Sequence, residues 1–195
     1  MVRKGFLTCA LLLFALVSAS PAVAVPITYE AILSGLDSPS GTGHALVVID
    51  TAAHTMYVNA TFSDLVGPTT ASHIHAATAV PGVGTAGVAT QTPTFIGFPL
   101  GVTSGSYETV LPFDLTLASS WNPAYITAHG GIAGAEADFA AAMAEGKTYF
   151  NIHTTFRPAG EIRGFLTPVP EPSTLFLLGS GLIGLVGYGR KRMKK

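Results

Sequence analysis

Three histidines in two separate segments have the spacing and chemistry of metal ligands. His73 and His75 are separated by one residue, and His153 lies in a second segment of β-type composition. Residues two apart in a β-strand project from the same face, so the imidazoles of His73 and His75 could chelate one ion. If the two segments form neighbouring strands, His153 would join them on one outward face, with the residues between them on each strand pointing into the core. Three neutral imidazoles suit copper or zinc, so the sequence predicts a candidate metal site at these residues.

Motifs for other chemistry are weaker or missing from the sequence. No Gly-x-Ser-x-Gly elbow, phosphate-binding loop or His-Glu-x-x-His helix occurs. The aromatic segment 121–125 could touch a ligand or glycan, although packing over the end of the fold is the favoured interpretation. Glu161 and Arg163 would share a strand face, where an exposed ion pair is expected and contributes little stability. The sequence predicts no catalytic residue and favours a protein that is not an enzyme.

The charge distribution argues against a nucleic-acid partner. Charged residues make up 11% of the chain, and the mean hydropathy is +0.47. All eleven acidic residues lie between Glu30 and Glu171, a stretch that contains only three basic residues. An acidic surface with three dispersed cations is a poor electrostatic match for a phosphate backbone. The excess of apolar residues comes from the two ends of the chain.

The segments that must position the histidines show the pattern of short antiparallel strands. Alternating or β-rich runs, separated by turn residues, predict strands over 27–33, 45–49, 56–62, 71–76, 105–112, 149–155 and 161–166. An alanine-rich segment predicts one short helix over 134–146, with Gly146 as its C-terminal stop. Strands at this spacing with one small helix indicate a mainly β fold, an antiparallel sandwich or barrel.

The first 24 residues have the three regions of a secretory signal peptide. Arg3 and Lys4 precede an apolar run over 6–17, and Ala24 ends a small-x-small cleavage site. A membrane anchor is the alternative, but the apolar run is too short to span a bilayer. Signal peptidase is therefore an expected partner, with cleavage after Ala24. Cys9 is the single cysteine of the chain, so a mature domain over 25–168 would contain no disulfide.

The last 27 residues, 169–195, form a second targeting segment. Pro170, Glu171 and Pro172 precede an apolar run over 173–189, near the lower length limit for a transmembrane helix, and a basic end follows over 190–195. This arrangement closely resembles the PEP-CTERM sorting signal. The resemblance implies that exosortase, a membrane enzyme, cleaves near the Pro-Glu-Pro box and passes the protein to the envelope or the extracellular matrix. A simple C-terminal membrane anchor is the alternative.

A second resemblance covers the middle of the chain, from about 27 to 166. Its motifs are Ser-His-Ile-His-Ala over 72–76, Tyr-Phe-Asn-Ile-His-Thr over 149–154 and Pro-Ala-Gly-Glu-Ile-Arg-Gly over 158–164. Together with the alanine-rich helix before the second motif, they resemble the CHRD (chordin-type) domain. The resemblance implies an immunoglobulin-like or superoxide-dismutase-like β-sandwich. The biochemical role of that family is largely unassigned, so the resemblance implies a fold more than an activity.

The sequence supports two functional hypotheses. The first is an exported protein of the envelope or extracellular matrix of a Gram-negative-type bacterium. Before processing, the protein would be an intermediate anchored in the inner membrane by its C-terminal helix. Its domain would be a structural, adhesive or binding module that contacts an envelope polysaccharide or the matrix.

The second hypothesis is a copper- or zinc-binding or redox protein that uses the three histidines. Superoxide dismutase activity is disfavoured, because it requires a fourth copper ligand and the remaining histidines are scattered along the chain. Against any metal stands a structural interpretation, in which the imidazoles only hydrogen-bond loops at the edge of the fold.

Overall fold

The computed structural model describes residues 25–35, 41–170, 179–181 and 183. The predicted signal peptide, including Ala24, lies outside these residues, as do Glu171, Pro172 and most of the predicted transmembrane segment. Within the described residues, no helix combines the length and the apolar character that crossing a membrane requires.

Nine antiparallel strands form one continuous sheet, which confirms the predicted mainly β fold. The strands are β1 (Ile27–Gly35), β2 (Thr42–Asp50), β3 (Thr55–Ser63), β4 (Thr69–His75), β5 (Gly105–Glu108), β6 (Phe113–Asp114), β7 (Tyr149–Thr154), β8 (Ile162–Phe165) and β9 (Thr167–Pro168). Their order is β4-β7-β8-β1-β2-β3-β5, with β6 beside β3 and β9 beside β1. Two very short strands, β6 and β9, were not predicted, because two residues are too few to show an alternating pattern.

The alternating residues of β3 illustrate why the sheet has one buried face. Met56, Val58, Ala60 and Phe62 are buried, while the residues between them are exposed or half-buried. β2 pairs with β3 in the register that the predicted hairpin requires, and the carboxylate of Asp50 accepts hydrogen bonds from two backbone amides of the turn. This side-chain cap fixes the turn and therefore the register of both strands.

The sheet curls until its two ends approach each other. The backbone amide of Thr69, at the start of β4, donates to the oxygen of Val102, and the amide of Gly101 donates back to Thr69. Residues 101–103 lead directly into β5, so the first and last strands of the sheet are joined at one end. The enclosed core includes large, fully buried side chains, among them Leu33, Phe95, Phe139, Phe150, Met56 and Ile152.

Two α-helices lie between β6 and β7, where the sequence predicted one. The predicted helix is α2 (Ile132–Ala144), which begins two residues earlier than expected. It ends as predicted, because Gly146 adopts a left-handed φ of 66° and the next amide, of Lys147, donates to the carbonyl oxygen of Ala142.

The unpredicted helix, α1 (Pro123–Ala128), begins where the side chain of Asn122 accepts from the amide of Ala124. Trp121, just before it, is 2% exposed and its indole nitrogen donates to the carbonyl of Leu115. Trp121 and Tyr125 are both buried, so the aromatic side chains of the segment pack into the fold, in agreement with the packing interpretation.

Gly164 in β8 allows the close approach of β8 to β1. A Cβ atom at this position would overlap the backbone oxygen of Ile32. We expect Gly164→Ala to lower the free energy of unfolding by about 1–3 kcal/mol, the usual cost of forcing an extra methyl group into a packed site. Urea denaturation measures this change.

Gly87→Ala is the matched control. A Cβ atom at Gly87 would meet no heavy atom within 4 Å, and Gly87 does not have a positive φ. Equal destabilisation by the two substitutions would contradict a specific packing role for Gly164.

Candidate metal centre

Two neighbouring strands bring the three predicted histidines together. β4 pairs with β7 so that His73 lies opposite Asn151, His75 opposite Tyr149, and Ala71 opposite His153. One ring nitrogen from each histidine lies within 4.8 Å of the others. The intervening residues of both strands point into the core, as the alternating pattern predicted. These residues are Ile74, Phe150 and Ile152, all fully buried.

The remaining histidines of the described chain lie elsewhere and contact acidic residues. His44 lies 3.6 Å from Glu30, His54 lies 2.9 Å from Glu136, and His129 lies 2.6 Å from Asp138. Each of these three histidines contacts one carboxylate and does not join the three-histidine cluster. The cluster therefore consists of His73, His75 and His153 within the part of the chain that the structure describes.

The face that carries the cluster is covered, whereas the sequence predicted an outward-facing one. His73 is 6% exposed and His75 is 7% exposed. The glycine-rich loop after β4 contributes backbone carbonyls from Ala86 and Pro93, and the turn after β7 contributes one from Pro158. Both segments fold back over the sheet, so the imidazoles lie between the strands and these loops.

Each imidazole donates one hydrogen bond to one of these backbone carbonyls. His73 Nε2 lies 2.6 Å from Pro93 O, His75 Nδ1 lies 2.9 Å from Ala86 O, and His153 Nδ1 lies 2.8 Å from Pro158 O. A carbonyl oxygen only accepts, so each of these ring nitrogens carries the proton. In a neutral imidazole the second nitrogen is then unprotonated and presents a lone pair.

Burial keeps the three rings neutral at physiological pH. It lowers the pKa of His73 from 6.5 to about 4, and the nearby imidazoles lower this pKa further. The pKa values of His75 and His153 are also lowered, mainly by burial. The hydrogen bonds to the backbone carbonyls act in the opposite direction, because they favour the protonated ring, but burial outweighs them.

Three lone pairs therefore converge in a space with few donors. His73 Nδ1 and His153 Nε2 are 3.1 Å apart, and neither carries a proton that could bridge them. The amide nitrogen of Asn151 lies 3.2 Å from His153 Nε2, while also donating to Ala159 O. His75 Nε2 is buried and has no hydrogen-bond partner within the described residues. A cation would satisfy all three nitrogens at once.

The turn after β7 depends on a glycine that packs against Asn151, beside the cluster. Gly160 has a φ of 118°, and a Cβ atom there would overlap the side-chain oxygen of Asn151. This glycine lets the turn approach closely enough for Pro158 O to reach His153 and Ala159 O to reach Asn151. The Pro-x-Gly part of the motif thus positions two backbone acceptors beside the site.

Two side chains beside the cluster were not identified as site residues from the sequence. The ring of Tyr149 stacks on His75 with 4.7 Å between centroids, and its hydroxyl donates to Ala86 O, the oxygen that also accepts from His75. Arg163 lies over the Tyr149 ring, with its guanidinium carbon 5.0 Å from the ring centroid. The alternation of β7 and β8 would have placed both on the face of the histidines, whereas the loop carbonyls have no sequence signal.

The expected surface ion pair between Glu161 and Arg163 does not form. Glu161 is 2% exposed, and its carboxylate accepts from the amides of Val66 and Gly67 and from the hydroxyl of Thr154. These buried donors satisfy the carboxylate without Arg163, which is half-buried on β8. Arg163 consequently has no ion-pair partner among the described residues and contributes an unneutralised positive charge beside Tyr149.

Comparison with known proteins identifies two regions of the chain. A family model described as CHRD domain matches residues 29–166. A model described as PEP-CTERM protein-sorting motif matches residues 168–192. No curated protein and no solved structure matches the chain.

The lowered pKa of His73 predicts that the metal-free protein loses stability on mild acidification. The pKa of His73 is about 4 in the folded protein and 6.5 without burial, so between these values the unfolded chain binds more protons. We therefore expect the free energy of unfolding to fall as pH decreases from about 6.5 toward 4. Urea denaturation with a chelator present, from pH 7.5 to 5.5, measures the effect above the range where most carboxylates titrate.

His73→Asn is the control for this pH dependence. The substitution removes the titrating ring, so stability should vary less steeply over the same interval. Identical slopes for the two proteins would contradict the assignment of the effect to His73.

Proposed function

The chain belongs to the CHRD domain family, and we propose that its domain binds a copper or zinc ion after export. The PEP-CTERM motif sorts the protein through the membrane to the cell surface or envelope, and exosortase is the enzyme that processes such signals. The observation that supports a metal is the convergence of three unprotonated, largely buried nitrogens from His73, His75 and His153.

The surroundings of the three ligands favour metal binding over a purely structural role. Metal-ligating histidines usually donate their other N–H to a carbonyl or carboxylate, which fixes the tautomer and the ring orientation. All three histidines do so here. Histidines that served only to attach loops would need one nitrogen each, and their second nitrogens would gain nothing from facing one another. Imidazole nitrogens suit copper, zinc and nickel, and copper binds most strongly among divalent ions of the first transition row.

A structural or adhesive module is the second candidate function. Exposed apolar side chains lie next to β5, including Ile96 at 73%, Val110 at 96% and Leu111 at 79% exposure. Exposed apolar patches of this kind often mark interaction surfaces. This role is compatible with a metal site, because the patch lies in loops beside β5, whereas the histidines lie on β4 and β7.

Metal analysis of the purified full-length protein tests the proposed function. After removal of metal with a chelator and incubation with copper or zinc, we expect about one ion per chain, as a three-nitrogen site holds one ion. A variant with His73, His75 and His153 all changed to alanine should lose this ion. His44→Ala and His129→Ala are matched controls, because their rings lie outside the cluster.

Circular dichroism should show that the triple variant keeps its β structure, so that loss of metal is not loss of fold. Equal metal content in the wild type and the triple variant, or no bound metal in a folded wild type, would reject the site.

The junction between the domain and the sorting motif supports a second proposal, that Pro170, Glu171 and Pro172 are the residues recognised for processing. The amide of Val169 donates to the oxygen of Thr28, so sheet pairing continues to the residue before the box. Proline has no backbone N–H to donate, so this pairing does not continue through Pro170.

Changing Pro170, Glu171 and Pro172 to alanine should leave an unprocessed protein in the inner membrane. The proline-containing box is lost, so the processing enzyme would lack its rigid, extended substrate. Cell fractionation and the mass of the mature protein measure the outcome, with the exposed Pro112→Ala as control. An unchanged mass and location would indicate that the tail is a simple anchor.

A further inference from the structure

We propose that the three-histidine site selects monovalent copper, Cu(I), over divalent zinc. This inference rests on the proposed function, because it concerns the ion held by the same three residues. The observations that carry it are the charge of the ligands, the positive charge of a neighbouring side chain and the small number of ligands.

The ligand set contributes no negative charge. All three ligand atoms are imidazole nitrogens, and within the described residues no carboxylate or thiolate belongs to the cluster. An ion bound there keeps its full charge in a site where His73 and His75 are at least nine-tenths buried. The cost of burying an ion rises with the square of its charge, so a divalent ion costs about four times as much as a monovalent ion of equal radius. Neutral ligands in a covered site therefore favour the monovalent ion.

A positive charge beside the site adds to this preference. Arg163 lies over Tyr149, which stacks on His75, and no ion-pair partner neutralises Arg163 within the described chain. The guanidinium carbon lies 5.0 Å from the Tyr149 centroid, and that centroid lies 4.7 Å from the centroid of the His75 ring, so the field of Arg163 reaches the site. Coulomb repulsion grows in proportion to the charge of the ion, so Arg163 disfavours zinc twice as strongly as Cu(I).

A buried carboxylate on the same strand does not reverse this effect by ligation. Glu161 is held in place by hydrogen bonds from the amides of Val66 and Gly67 and from the hydroxyl of Thr154. Its oxygens are not among the atoms that converge with the imidazoles. The carboxylate of Glu161 is therefore hydrogen-bonded outside the cluster, whereas the guanidinium of Arg163 lies over the Tyr149 ring that stacks on His75.

The number of ligands also suits Cu(I). Zinc in proteins is almost always four-coordinate, and with three histidines it requires water or another ligand at the fourth position. Cu(I) forms stable complexes with two or three nitrogen ligands and needs no water. The two closest lone pairs, on His73 Nδ1 and His153 Nε2, lie 3.1 Å apart, and His75 Nε2 is the third.

Competition titrations on the full-length protein test this selectivity. Metal-free protein in detergent is titrated anaerobically with Cu(I) against a chromophoric Cu(I) chelator, and separately with zinc against a fluorescent zinc chelator. We expect the Kd for Cu(I) to be lower than the Kd for zinc by on the order of 100-fold, from the difference in burial cost. Comparable affinities, or tighter binding of zinc, would overturn the proposal.

Substitutions at Arg163 isolate the role of charge. Arg163→Gln should increase both affinities, with a logarithmic gain for zinc about twice that for Cu(I), because the removed repulsion scales with ionic charge. Arg163→Lys keeps the charge and should leave the ratio of affinities unchanged. An unchanged ratio in Arg163→Gln would overturn the electrostatic argument.

The same titrations separate this inference from the proposed function. If neither metal binds, or if the triple alanine variant binds as well as the wild type, the site itself is rejected. If metal binds through the three histidines without preference for Cu(I), only the selectivity is rejected.

Discussion

The arrangement of the histidine cluster depends on three backbone carbonyls that accept the imidazole protons. Pro93 O, Ala86 O and Pro158 O each bind one ring nitrogen, and this leaves the opposite nitrogen of each ring without a proton. The choice of tautomer is therefore made by the loops and not by the strands that carry the histidines. With the protons on these nitrogens, the lone pairs of His73 Nδ1 and His153 Nε2 face each other, and the two atoms are 3.1 Å apart. A bound cation stabilises this arrangement, whereas no hydrogen bond joins the two nitrogens.

The sheet supplies the rigidity that this arrangement requires. The side chains between the histidines, Ile74 and Ile152, are fully buried in the core, so β4 and β7 cannot rotate without exposing apolar surface. Tyr149 connects the strand to the loop, because its ring stacks on His75 and its hydroxyl donates to Ala86 O. Gly160 allows the turn after β7 to approach Asn151, which brings that turn close to the strand. Core packing, the Tyr149–His75 stack and the loop geometry together fix the positions of the three imidazoles.

Alternation and turn residues were sufficient to predict the strands and the shared face of the histidines. The buried residues of β3, the β2–β3 hairpin and the end of α2 at Gly146 all follow local rules of period and backbone conformation. The covering of the site could not be predicted, because the loop carbonyls of Ala86 and Pro93 belong to a segment without periodicity. The prediction that Glu161 pairs with Arg163 was wrong for a related reason. Backbone amides from a turn distant in sequence donate to the Glu161 carboxylate, and strand alternation carries no information about such contacts.

The absence of cysteine from residues 25–195 gives the cluster a further physical meaning. Exported domains often gain stability from disulfides, whereas this one must rely on packing unless another cross-link forms. An ion held by β4 and β7 would bind the folded protein more strongly than the unfolded chain, and its binding free energy would then add to the stability of the fold. The histidines are joined by hydrogen bonds to the loop after β4 and to the turn after β7, so the same ion would also stabilise these two segments. A metal at this position would connect strands and loops that no covalent bond joins.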